Sequence, residues 1–269
     1  MTQDHSTLFA EPARLVFEEV TAGYGQNSVL KEISLEIPQG LHVAVVGPNG
    51  AGKTTLFKTL VNLLPVWSGR ILIHGKPFGQ HQDCIAYIPQ RGEVDWRFPV
   101  TVEDVVMMGR YAKTGMYRRP NTRDHEVVRN CINRLGILPN AGSRINELSG
   151  GQQQRIFLAR ALAQEPHILL MDEPFTGIDF TTQETILEIV DSLREAGVTV
   201  MVATHDLNLA SEHFDRVILL NHELVAYGKP NEVMTRENIR NAYGNHVMIM
   251  DGVAVVDHCC PPGDEMDEL

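Results

Sequence analysis

The chain has no apolar run long enough to cross a membrane and no recognisable export signal. A membrane-spanning helix needs about 18 or more consecutive apolar residues, and no such run occurs among the 269 residues. The first residues (MTQDH) are polar and acidic, whereas a secretory leader has a basic start followed by an apolar stretch. These absences predict a chain that is not exported and does not itself span a membrane.

Cysteine and positive charge are also scarce. The four cysteines (Cys84, Cys131, Cys259 and Cys260) show neither C-x-x-C spacing nor disulfide density, which is typical of a reducing cytoplasm. A formal net charge of −11 argues against a nucleic-acid-binding surface, because neutralising phosphates requires clustered lysine and arginine. Acidic residues without any lysine or arginine follow position 250, which predicts a solvated tail.

What the chain does have is the segment 47–55 (GPNGAGKTT), with the spacing G-x-x-x-x-G-K-[ST] of a phosphate-binding loop. It follows the strand-like run 42–46 and precedes a helical pattern, so backbone N–H groups and a helix N-terminus converge on one anion. Lys53 is placed to reach the β- and γ-phosphates, and the Thr54 hydroxyl to bind Mg²⁺. A nucleoside triphosphate is therefore the predicted ligand. Its candidate contacts are Gly47, Pro48, Asn49, Gly50, Ala51, Gly52, Lys53, Thr54 and Thr55.

Alternating strand and helix patterns predict an α/β fold with a largely parallel sheet. The opening part differs, because 14–20, 28–37 and 70–74 have strand patterns joined by turns and predict a β-rich subdomain. After Gln90 the pattern becomes helical, and one short helix is predicted to open at 101–103. In 124–135, four apolar residues fall at i, i+3, i+4 and i+7. Cys131 is one of them, so it is predicted to pack in a core rather than to be a reactive thiol.

Acidic residues end a second buried strand pattern, 168–171. Carboxylates at the C-terminal end of a parallel strand face the crevice where phosphates bind. Asp172 is thus the predicted Mg²⁺ partner, through water, and Glu173 the group that polarises the attacking water. Taken alone, the pair would more simply cap a helix, but the phosphate loop upstream disfavours that interpretation. The strand 198–203 likewise ends next to His205, which is placed to reach the γ-phosphate.

Together these motifs resemble the ATP-binding cassette family. The segment 148–152 (LSGGQ) is similar to the family's signature motif, and Gln90, 176–179 (TGID) and His205 stand in the family's order. The resemblance covers roughly 14 to 230. It implies a P-loop NTPase core with a mainly parallel sheet, an N-terminal antiparallel β subdomain and a helical signature subdomain. The implied cassette domain spans 14–245, with its helical subdomain at about 91–163, and 246–269 would hold a C-terminal strand and a flexible acidic tail.

The resemblance also implies roles within one nucleotide site. Tyr24 would stack on adenine, the alternative being a tyrosine that serves only the turn. Gln90 would touch Mg²⁺ and the attacking water and would report nucleotide state to a partner. Catalysis of ATP hydrolysis would then rest on Lys53, Gln90, Glu173 and His205.

Other implied roles cross to a second copy of the chain. The signature residues would bind the γ-phosphate of an ATP held by the partner cassette, and Asp179 would link the two sites. These signature residues are Ser149, Gly150, Gly151 and Gln152. A homodimer that sandwiches two ATP molecules in C₂ symmetry is therefore expected.

A cassette without its own membrane span implies a separate permease, with the ATPase held at the cytoplasmic face of the membrane. The segment 93–110 is similar to its counterpart in importers of manganese, zinc and iron, which also work with a solute-binding protein. Iron-siderophore or cobalamin importers are the alternative, and a non-transport cassette is a further one. That further class is disfavoured because 91–147 lacks the long heptad insertion of DNA-repair cassettes and the chain has a single phosphate loop.

Two short features leave alternatives open. Trp96 and Phe98 would either form an apolar groove for a permease helix or pack internally. In the tail, His258, Cys259 and Cys260 would either bind a divalent ion or belong to a disordered segment.

Overall fold

The computed structural model describes residues 15–77, 84–94, 96, 98–114, 119–244, 247–250 and 253–256, the last two ranges and Ala112 as backbone only. The strands are β1 (Leu15–Tyr24), β2 (Asn27–Ile37), β3 (His42–Val46), β4 (Val66–Ile73), β5 (Lys76–Pro77), β6 (Ile85–Ile88), β7 (Ile168–Asp172), β8 (Thr199–Ala203), β9 (Arg216–Asn221), β10 (Glu223–Gly228), β11 (Val247–Met250) and β12 (Val253–Val256). The α-helices are α1 (Lys53–Leu60), α2 (Val102–Met108), α3 (Tyr111–Thr114), α4 (Thr122–Arg134), α5 (Gly150–Ala163), α6 (Phe180–Glu195), α7 (Leu207–His213), α8 (Pro230–Val233) and α9 (Arg236–Tyr243).

A six-stranded sheet forms the centre, in the order β10-β9-β3-β8-β7-β6, and only β10 runs antiparallel to its neighbour. Every residue of β3, β7 and β8 is buried, because layers cover both faces of these strands. Successive side chains of β3 alternate between the two hydrophobic cores, so Val43 and Val45 face one and Ala44 and Val46 the other. The predicted α/β class is confirmed.

The predicted β-rich subdomain is a second sheet, with the antiparallel order β2-β1-β4-β5. Its first strand runs beyond the predicted end at Val20 to Tyr24, where Tyr24 pairs with Asn27. A bulge interrupts β1 near the predicted end. Glu19 has φ 50°, and the register of β1 with β2 shifts between Phe17 and Val20. This extension carries Tyr24 to the rim of the nucleotide cleft described below.

Helices α2, α4 and α5 pack together beside the central sheet, where a helical subdomain was predicted. Thr101 and Asn121 cap α2 and α4 through reciprocal capping boxes. A buried ion pair ties the group together, with Arg110 Nε 2.9 Å from Asp124 Oδ1 and Arg110 Nη1 donating to the carbonyl of Ala163. Cys131 packs against this core, and burial raises the pKa of its thiol to about 11, as expected of a packing residue.

The C-terminal region contributes the antiparallel pair β11 and β12. The tail predicted to carry His258, Cys259 and Cys260 lies outside the described residues. Within the described part of the chain, every helix is too short or too polar to pass through a lipid bilayer.

Candidate active site

The phosphate loop links the end of β3 to the start of α1. Gly52 caps α1 in a left-handed conformation (φ 101°), which favours glycine over residues with a side chain. A Cβ at Gly47 would lie 2.0 Å from the carbonyl oxygen of Leu220, so only glycine allows this close approach. The backbone packed against the loop therefore leaves no space for a side chain at Gly47, which explains why the predicted loop needs glycine there.

Lys53 is held inside the curl of this loop. Its Nζ donates hydrogen bonds to the carbonyls of Gly47 (2.8 Å) and Pro48 (3.1 Å). Burial lowers the pKa of the ammonium group, while Glu173 and Asp172 oppose that shift. The cation therefore sits between loop carbonyls and two carboxylates, at the place where phosphate oxygens would bind.

A cleft of about 320 Å³ brings together most of the nucleotide contacts predicted within one chain, but Gly47 and Pro48 are not among its lining residues. Its lining residues are Tyr24, Val29, Asn49, Gly50, Ala51, Gly52, Lys53, Thr54, Thr55, Gln90 and Glu173. Tyr24 leaves 48% of its surface exposed on the rim, which suits a ring that stacks on a ligand. Val29 was not predicted from the sequence, because its place in the cleft follows from the pairing of β2 with β1.

Asp172 ends β7 beneath this cleft with only 1% of its surface exposed. The Tyr87 hydroxyl donates to its Oδ2 at 3.4 Å, but its Oδ1 has no hydrogen-bond partner among the described residues. Burial raises the pKa of this carboxyl to about 6, although the hydroxyls of Thr54 and Tyr87 lower it. A buried carboxylate with one unpaired oxygen, beneath a cleft lined by Thr54 and Gln90, fits an oxygen-ligated cation such as Mg²⁺.

Glu173 follows with the left-handed φ of 48°, uncommon for a residue other than glycine. Its N–H donates to the carbonyl of Ala203 at the end of β8, and the Thr176 hydroxyl lies 3.4 Å from its Oε2. This sharp turn directs the chain so that Glu173 lines the cleft whereas Asp172 stays beneath it. Adjacent carboxylates thus occupy different environments, as their different predicted roles require.

His205 lies at the same edge of the sheet, in the exposed segment after β8. The N–H of Thr204, the preceding residue, donates to the carbonyl of Val45 in β3. Because the phosphate loop follows β3, the segment lies next to that loop. His205 is not one of the residues that line the described cleft. The structure brings it near the site, and its contact with the γ-phosphate stays a prediction.

The signature residues lie apart from this cleft, at the N-terminus of α5. Ser149 caps α5 in a capping box with Gln152. Asp179 caps α6 by accepting hydrogen bonds from the N–H and hydroxyl of Thr182, and Thr182 packs against Gly151, where an added Cβ would meet its hydroxyl at 2.7 Å. Both predicted motifs therefore share one packed surface away from the nucleotide cleft of their own chain.

Arg91, which no motif marked, connects the two regions. It directly follows Gln90, and its Nη2 donates to Gln153 Oε1 of α5 at 3.0 Å. A Cβ added to Gly150 would lie 2.5 Å from Arg91 Nη1, so the guanidinium rests against the first glycine of the signature. The residue next to Gln90 is therefore in direct contact with the start of α5.

Trp96 and Phe98, which were considered together in the sequence analysis, have different environments in the structure. Trp96 is half-buried, its ring 5.1 Å from that of Phe157 and its Nε1 donating to the Arg91 carbonyl at 3.0 Å. Phe98 leaves 62% of its surface exposed. The alternative in which both rings pack internally is wrong for Phe98, because only Trp96 reaches α5.

Comparisons with known proteins agree with this geometry. The ABC transporter family model matches residues 30–176, and a model described as an AAA domain matches 142–211. The manganese transport system ATP-binding protein MntB of Bacillus subtilis (strain 168) is 44% identical over 233 residues, which cover 87% of this chain and 93% of that protein. The zinc transport system ATP-binding protein TroB of Treponema pallidum (strain Nichols) is 44% identical over 230 residues, covering 86% of each. An inward-facing ABC transporter of metal-chelate type superposes with a TM-score of 0.77 at 25% identity, covering 91% of this chain and 96% of the other.

Proposed function

This chain belongs to the ABC transporter family, as an ATP-binding cassette ATPase, and from that premise we propose that it drives a membrane importer for a divalent metal ion. The observation that carries the proposal is the cleft itself. It joins the phosphate loop, Gln90 and Glu173 above the buried carboxylate of Asp172, whose Oδ1 has no hydrogen-bond partner among the described residues.

In the proposed reaction, Lys53 exchanges its two loop carbonyls for phosphate oxygens of ATP. Thr54, Gln90 and Asp172 would hold Mg²⁺, which neutralises developing charge on the phosphoryl group when it is bound. Glu173, fixed by the backbone of β8, orients the attacking water and takes its proton.

Closure of the site is proposed to need a second copy. Ser149 and the glycines after it begin α5 outside the cleft of their own chain, and a helix N-terminus is suited to bind an anion such as a γ-phosphate. A symmetric homodimer would let each α5 reach the partner's ATP, with Asp179 at the interface and His205 at the γ-phosphate. Arg91 would then transmit the state of Gln90 to the surface that binds the partner.

The cargo is proposed from the relatives named for manganese and zinc transport. A separate permease would hold the ATPase at the cytoplasmic face of the membrane, with Phe98 in the contact, and a solute-binding protein would deliver the metal. Uptake of a chelated metal, as by a siderophore importer, is the second candidate, which the superposition on the metal-chelate type transporter favours.

Purification of the native complex through a tagged copy of this chain tests the proposal. Reconstituted in vesicles with ATP on the ATPase side, the complex should take up Mn²⁺ or Zn²⁺. Uptake of an iron chelate without uptake of either free ion would support the second candidate instead.

Glu173→Gln should keep ATP binding and lose hydrolysis and uptake, because an amide cannot accept the proton. Near wild-type hydrolysis by that variant would contradict the role of Glu173.

A further inference from the structure

Two histidines and a cysteine converge where the two sheets meet. His74 follows β4 of the antiparallel sheet, while Cys84 and His167 precede β6 and β7 of the central sheet. One ligand atom from each residue lies within 4.8 Å of the other two. The His74 Nε2 and His167 Nδ1 atoms are 3.2 Å apart, and the backbone N–H of His167 donates to the backbone carbonyl of Cys84 at 2.8 Å.

This cluster is remote from the nucleotide cleft. Cys84 and His167 lie at the amino ends of the parallel strands β6 and β7, whereas Asp172 ends β7 at the carboxyl edge. At a rise of about 3.3 Å per residue, His167 and Asp172 are separated by roughly 16 Å along β7. The cluster therefore cannot belong to the magnesium and nucleotide site.

We propose that His74, Cys84 and His167 form a binding site for a transition-metal dication of the Zn²⁺ type. Tetrahedral zinc, with bonds of about 2.0–2.1 Å to nitrogen and about 2.3 Å to sulfur, sets its ligand atoms roughly 3.3–3.6 Å apart. The nitrogen pair, 3.2 Å apart, is within about 0.1 Å of that range. The thiol sulfur lies within 4.8 Å of both nitrogens, so it would have to approach them by up to about 1.2 Å. Two imidazoles and a thiolate favour Zn²⁺ over Mn²⁺ and Mg²⁺, which prefer oxygen ligands, and water completes the fourth position.

Binding at this position would connect the two sheets. His74 follows a strand of the antiparallel sheet that also supplies Tyr24, and the other two ligands precede strands of the central sheet. An ion held by all three would stabilise the folded chain by an amount that grows with the logarithm of the free ion concentration above the dissociation constant. This inference does not depend on the transported cargo or on ATP hydrolysis.

The test is Zn²⁺ binding to the purified, nucleotide-free full chain in excess Mg²⁺, measured by competition with a chromophoric chelator. We expect tight binding at the cluster, a Zn²⁺-dependent rise in melting temperature, and thiolate-to-cobalt absorption when Co²⁺ replaces Zn²⁺. Cys84→Ser and His167→Gln should each weaken binding by at least about tenfold. Cys131→Ser is the matched control, because Cys131 is a similarly half-buried thiol outside the cluster.

A double variant, Cys259→Ser with Cys260→Ser, separates the cluster from the tail thiols. If the double variant still binds Zn²⁺ and still shows cobalt absorption, the result supports the cluster. If the double variant loses both signals while Cys84→Ser keeps them, the proposal is overturned. Because His167 is exposed, His167→Gln should fold, and an unchanged melting temperature of its metal-free form checks this. If Zn²⁺ raises the melting temperature of His167→Gln as much as that of wild type, or does not raise that of wild type, the proposal is wrong. The histidine pair would then be joined by a hydrogen bond alone.

Discussion

Replacing Trp96 and Phe98 by alanine, one at a time, should have opposite effects on stability and on partner binding. Trp96 loses a ring contact with Phe157 and a hydrogen bond to the Arg91 carbonyl. Phe98, at 62% exposure, loses little inside the chain. The comparison is informative because the two residues are neighbours in sequence and chemically alike.

The magnitude for Trp96 follows from its contacts. An aromatic pair contributes about 0.5–1.5 kcal/mol and a neutral hydrogen bond about 0.5–1.5 kcal/mol. With the partial burial of the indole, Trp96→Ala should cost about 2–3 kcal/mol, below the ~3–5 kcal/mol of a fully buried aromatic. For a chain of this size that corresponds to a fall in melting temperature of about 4–12 °C. Phe98→Ala should change stability by less than about 0.5 kcal/mol.

The assay pairs thermal melting of each isolated variant with its affinity for the purified permease. An interface aromatic at a binding hot spot contributes more than ~2 kcal/mol, so Phe98→Ala should weaken permease binding by about 30-fold or more at an unchanged melting temperature. Trp96→Phe is the control, since it keeps a ring against Phe157 and removes only the N–H donor. Normal permease binding by Phe98→Ala would refute the docking role, and an unchanged melting temperature for Trp96→Ala would refute the packing argument.

Three further predictions test the site and its frame. In mixed dimers of Lys53→Ala with Ser149→Arg, one of the two composite sites carries neither substitution, so partial ATPase activity should remain; loss of ATP binding by monomeric Ser149→Arg would contradict the assignment to a partner site. Arg110→Met should cost about 3–5 kcal/mol in urea unfolding, because the buried Asp124 carboxylate loses its cationic partner and keeps the Asn121 N–H bond, and a change below 1 kcal/mol would show that the pair is dispensable. Burial raises the pKa of Asp172 to about 6, so the folded chain holds this proton more tightly than the unfolded chain, and the cost of the charged form grows as pH rises from about 4 to 6. Asp172→Asn should therefore have a free energy of unfolding up to about 3 kcal/mol above that of wild type at pH 8 without nucleotide, and lose that advantage near pH 4, whereas an equal difference at both pH values would contradict a buried charge.

Much of the candidate site was predictable because its signals are local. The phosphate loop needs glycines at fixed spacing between a strand and a helix, and that requirement is written in consecutive residues. The same holds for Asp172 and Glu173 at the end of an apolar run. It also holds for Ser149 and Asp179, because each caps a helix by accepting a hydrogen bond from the N–H three residues later. The α/β class followed from alternating patterns in the same way.

Contacts between distant segments could not be predicted from those patterns. Val29 lines the cleft because of how β1 and β2 pair, and Trp96 is separated from Phe98 by the position of α5. Arg91 reaches Gln153 for the same reason, since local periodicity does not say which helix packs against a loop.

The sequence by itself thus determined the predicted ATP contacts, because each motif is completed by its immediate neighbours along the chain. Only the tertiary structure decided which motifs meet. Sheet order places β6 beside β7, which puts Cys84 next to His167 and leaves Asp172 at the opposite edge. The physical reason is that strand order and helix packing depend on how surfaces from distant segments fit together to bury apolar area, and no short stretch of sequence contains that information.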